Sequence, residues 1–65
     1  MASLQIDKIL DTHNLVAFKS PLHSTQAQLD NKSGEWQVWV DGKPKNSYIS
    51  KDHAVSEACR LCAAE

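Results

Sequence analysis

The sequence predicts a small two-layer α+β domain: a three-stranded antiparallel β-meander packed against a C-terminal helix, with a short N-terminal helix. Three observations carry that expectation. Residues 35–40 alternate in polarity, residues 41–44 read as a turn, and residues 50–64 repeat small and apolar side chains at helical spacing. The chain has 65 residues, which is room for one domain, taken as residues 1–65. A chain of that size buries only about 60% of the surface its unfolded form exposes, so the core is small.

Taken in chain order, Ser3 is a suitable cap for a helix over residues 4–13, with Ile6, Ile9 and Leu10 on one face. The same stretch also fits a strand, since Leu4, Ile6 and Leu10 sit at even spacings interrupted by Lys8; the helix is the preferred reading. Residues 15–19 read as a strand or its approach. Residues 21–33 are polar and ambiguous, with a third strand over 26–30 that the turn Asn31-Lys32-Ser33-Gly34 joins to Trp36.

The C-terminal half is more explicit. Trp36, Val38 and Val40 point one way and Gln37 and Trp39 the other, the period-two pattern of a half-buried strand. In the turn Asp41-Gly42-Lys43-Pro44, Gly42 is free to take positive φ and Pro44 ends or edges the ladder. Residues 46–49 return as a strand with Tyr48 and Ile49. A helix over residues 51–63 follows, capped by Ser50, with Asp52 at the positive end of its dipole. Ala54, Val55, Ala58, Leu61 and Cys62 form its apolar stripe, and His53, Ser56, Glu57 and Arg60 its polar side.

Composition narrows the function. Hydrophobic residues make up 42% and charged residues 23%, values of a folded globular domain. The net charge of −1 lacks the basic excess of a dedicated nucleic-acid binder. No apolar run reaches the roughly 20 residues of a membrane span, and residues 1–7 lack the pattern of a signal peptide. The expected location is therefore cytoplasmic. The two cysteines agree, because a small secreted domain would carry more of them as staples.

Cys59-Arg60-Leu61-Cys62 is a CxxC, yet it lies near a helix C-terminus, where the dipole raises a thiol pKa rather than lowering it. Both cysteines fit the apolar stripe or its edge, which favours core packing. Zinc would need four ligands; a second cysteine pair is missing, and His13, His23 and His53 form no spaced pair. Neither a metal nor any other cofactor is expected. Serines, histidines and aspartates occur without a recognisable catalytic context, and Gly34 and Gly42 make no phosphate loop. The chain is not expected to be an enzyme.

The candidate binding residues are Trp39, Tyr48, Lys43, Lys45 and Lys51. If the helix covers the Trp36 face, Trp39 lies on the opposite one, either free as an anchor or packed under the N-terminal segment. Lys43, Lys45 and Lys51 could gather beside the hairpin turn as a local basic patch.

Two stretches bear a family likeness. Trp36-Gln37-Val38-Trp39-Val40-Asp41-Gly42, followed by Tyr48-Ile49-Ser50-Lys51-Asp52-His53-Ala54-Val55, resembles small bacterial domains of unknown function of the DUF2188-like type. Those run from a tryptophan-bearing strand through an Asp-Gly turn to a second strand and an alanine-rich helix. The likeness implies a topology and no function. The overall order also resembles the double-stranded RNA-binding domain, whose last helix opens with a Ser-Lys-Lys-x-Ala-Lys segment. Ser50, Lys51 and Ala54 match that segment, while Asp52 and Val55 replace lysines that reach phosphates, which would weaken such binding.

The expected function is that of a small non-catalytic interaction protein, an adaptor or inhibitor of the kind phages encode, binding a larger protein through the open sheet face or a sheet edge. The alternative is a nucleic-acid-binding module with the double-stranded RNA-binding type of fold.

Overall fold

A computed structural model describes residues 5–64 of the chain. Its elements run β1 (Asp7–Asp11), β2 (Leu15–Lys19), β3 (Ser24–Leu29), β4 (Trp36–Val40), β5 (Lys43–Tyr48) and α1 (Lys51–Cys62). All five strands form one antiparallel sheet in sequence order, and α1 lies across one of its faces. The α+β class is as expected, but the three-stranded meander is not: the sheet has two further strands, β1 and β2.

The expected N-terminal helix is replaced by β1. Ser3 and Leu4 lie outside the described residues. Over the rest, a β-bulge explains the misleading periodicity. Lys8 pairs with Phe18 and Leu10 with Ala17, so Ile9 is an extra residue in the ladder. A bulge sets two successive side chains against one partner. Ile6, Ile9 and Leu10 therefore fall at spacings of three and four, which imitate one face of a helix.

The β4–β5 hairpin turns more tightly than a four-residue turn. Val40 pairs with Lys43, leaving Asp41 and Gly42 as a two-residue loop, with φ of 52° and 84°. Positive φ at both positions is the type I′ geometry, whose twist matches that of the flanking strands. Pro44 thus lies inside β5, tolerated because β5 is an edge strand with a register shift opposite Val38 and Trp39. Ile49 falls beyond the strand and is 87% exposed.

The core lies between sheet and helix. Val16, Phe18, Ala27, Trp36 and Val38 from the sheet meet Ala54, Ala58 and Cys62 from α1. Ala27, Ala54 and Ala58 are fully buried, and their small side chains let the helix axis lie close to the strands. Two buried hydroxyls pin the C-terminal half of α1. Thr25 Oγ1 donates to the Ala58 carbonyl at 2.7 Å, and Ser20 Oγ to the Cys62 carbonyl at 2.6 Å. At the other end, Ser50 Oγ accepts from the His53 N–H at 3.4 Å, the expected N-cap. No helix among the described residues is long and apolar enough to cross a membrane.

A candidate docking face on the open side of the sheet

Side chains alternate across a sheet, so the strands that feed the core also build a second face. The register places Leu10, Ala17, Gln26, Trp39 and Pro44 in one row running from β1 to β5. A neighbouring row holds Leu15, Gln28, Gln37 and Ser47. No described helix packs on this side. Its middle is uncharged: three glutamines, small and aliphatic residues, and one tryptophan. Gln26 Nε2 donates to Gln28 Oε1 at 3.2 Å, which orients two of the amides along β3.

Trp39 is the largest side chain of this face. It is half-buried and stands between two depressions. One, of about 270 Å³, has Ile9, Ala17, Ser24, Gln26, Trp39 and Gly42 in its lining. The other, of about 460 Å³, lies towards Gln28, Gln37 and the Asp30–Lys32 turn. The indole N–H is shielded from solvent and meets no acceptor among the described residues. A buried donor without a partner carries a desolvation cost of about 1–3 kcal/mol.

Trp39 therefore occupies the face opposite Trp36, as the strand alternation predicts. From Asp7 to Asp11 the N-terminal segment does not lie over it: β1 joins the edge of the same sheet and lends Ile9 to the wall of the groove.

The other four expected site residues are not gathered around it. Tyr48 pairs with Trp36 on the helix side, its ring 4.3 Å from that of His53 and its hydroxyl 3.4 Å from Glu57 Oε1. Lys43 and Lys45 are exposed on edge strand β5, on either side of Pro44. Lys51 lies beyond the opposite end of β5, where its ammonium bonds the Thr12 carbonyl at 3.3 Å and sits 5.6 Å over the Trp36 ring. The six residues of β5 span roughly 17–20 Å, which sets Lys43 and Lys51 at opposite ends of the strand.

A second cluster carries no local signal in the sequence. His23 Nδ1 lies 2.7 Å from Asp41 Oδ2, and Nε2 lies 2.8 Å from the Ala64 carbonyl. Ser20, His23 and Asp41 are the residue types of a hydrolase triad, but the geometry is that of a clamp. The Ser20 hydroxyl donates to the Cys62 carbonyl and accepts from the backbone N–H groups of Leu22 and His23, both at 3.2 Å. The His23 nitrogen that would serve a nucleophile is occupied by Ala64.

Cys62 is fully buried and Cys59 half-buried, both as free thiols. Among the described residues no group of three or more histidine, cysteine or acidic side chains is placed to hold a metal ion. No protein-family model, no curated protein and no solved structure matches the chain.

Proposed function

We propose that this chain is a small non-catalytic interaction protein, an adaptor or inhibitor, that docks a larger protein partner on the open face of its sheet with Trp39 as the anchor. The observation that carries the reading is Trp39 itself: a large aromatic in the middle of a face that is uncharged and uncovered among the described residues, flanked by two depressions. Tryptophan is enriched among interface residues whose truncation costs most.

The sheet edges are poorer docking sites. β1 carries Asp7, Lys8 and Asp11 around its bulge, and β5 carries Lys43, Pro44 and Lys45 beside its register shift. Charges, proline and bulges on edge strands are devices against strand addition. The separation of Lys51 from Lys43 and Lys45 likewise favours a protein partner over a phosphate backbone, which needs clustered cations. The two free thiols fit work in a reducing, cytoplasmic compartment.

The test is affinity capture from native host lysate with wild-type and Trp39→Ala baits, each with and without nuclease. The expected result is a protein retained by the wild type in both conditions and lost from Trp39→Ala. Retention that disappears with nuclease would transfer the function to nucleic-acid binding. Equal retention by both baits would remove Trp39 from the interface.

A further inference from the structure

We propose that His23 is a pH-operated latch whose doubly protonated ring ties the C-terminal end of α1 to the β4–β5 hairpin. The inference stands on the two partners of the ring. Nδ1 faces a carboxylate at 2.7 Å and Nε2 faces a carbonyl at 2.8 Å. Both partners are acceptors, so both bonds need an N–H from the ring. A neutral imidazole carries one N–H and leaves the other nitrogen as a lone pair. Only the imidazolium completes both bonds.

The surroundings support the charged form. From the hairpin, the facing charge is Asp41, whose Oδ1 also accepts the Ser24 N–H at 2.9 Å and is thereby fixed in position. From the last turn of α1, the facing titratable group is the Cys62 thiol, with Sγ 3.5 Å from the His23 carbonyl. Arg60 of the same turn is engaged by Glu57 at 2.7 Å. On the sheet, Ser20 is neutral and Lys19 pairs in register with Ser24 and Asp7. The His23 pKa is raised above the ordinary 6.5, first through its bond to Asp41; burial opposes the rise, while the Ala64 carbonyl and the charge of Asp41 add to it. The Asp41 carboxyl is held below the ordinary 3.8, first by the Ser24 N–H and then by His23.

The signs follow from linkage. The stability contributed by His23 is complete below pH 6.5 and is lost as pH rises through its raised pKa. That contributed by Asp41 is complete above pH 3.8 and is lost as pH falls through its lowered pKa. The latch is thus fully closed between those ordinary values. On the alkaline side the charge-assisted bond to Asp41 keeps the remaining N–H, and the bond to Ala64 is the one that breaks. The end of α1 then loosens from the β2–β3 turn. Ser24, bonded to Asp41, and Gly42, next to it in the chain, line the Trp39 groove, so the latch also bears on the wall of that groove.

The experiment is an NMR titration of the ring ¹⁵N signals of His23 and the amide signals of Ala63 and Ala64, from about pH 5 to about pH 9, the range in which a histidine switches. The expected midpoint for His23 lies above 6.5, and the Ala63 and Ala64 amides move with the same midpoint. Asp41→Asn should lower the midpoint, and His23→Gln should abolish the co-titration of the helix end. Melting temperature should fall with rising pH through the midpoint in the wild type and stay level in His23→Gln. A wild-type midpoint at or below 6.5, or helix-end amides that do not follow it, would overturn the proposal.

Discussion

Trp36 is 6% exposed within the core, whereas Trp39, three positions along the same strand, borders two surface depressions. Truncating the first opens a cavity beneath α1, so Trp36→Ala should lose roughly 3–5 kcal/mol of folding free energy, measured by urea unfolding. Trp39→Ala should cost less in folding and about 2 kcal/mol or more in partner affinity, as an interface anchor does. Cys62 has no exposed surface, and Cys62→Ala should destabilise the fold by about 1 kcal/mol with no response to chelators; a large drop in melting temperature on adding EDTA would contradict this. The opposition of the two tryptophans was legible in the sequence, because an odd separation on a regular strand forces opposite faces. The His23–Asp41 bond was not, since the partners lie 18 residues apart and meet only through the conformation of two turns.

Among the elements, β4, the hairpin and α1 follow their local periodicity, with Ser50 capping the helix as expected. β1 does not, because its bulge breaks the two-residue repeat and sets Ile9 beside Leu10 opposite Ala17. β3 is faint for another reason: its core-facing residues include Thr25 and Ala27, small side chains that give little hydrophobic signal yet are 3% and 0% exposed. The hydroxyl of Thr25 binds the helix carbonyl of Ala58. Thr25→Val keeps the shape and removes that bond, with an expected loss of about 1 kcal/mol in chemical denaturation. An unchanged stability would show that the hydroxyl bond adds nothing to helix docking. Backbone chemical shifts at Asp7–Asp11 should be extended; helical shifts there would restore the N-terminal helix and undo the five-stranded sheet.

Among the described residues, five strands and one helix leave one sheet face covered and one open, with both edges guarded by charge, proline or bulges. The net charge is −1, without the basic excess of a dedicated nucleic-acid binder. If the nucleic-acid alternative holds, binding to duplex RNA should weaken steeply with salt and Lys43→Ala/Lys45→Ala should flatten the slope. The measurement that bears most directly on the docking face is amide chemical-shift mapping of the chain with its captured partner. The account predicts that the perturbed signals cluster along Leu10, Ala17, Gln26 and Trp39 and along Gln28 and Gln37. Perturbations confined to the exposed side of α1, at His53, Ser56 and Arg60, would contradict it.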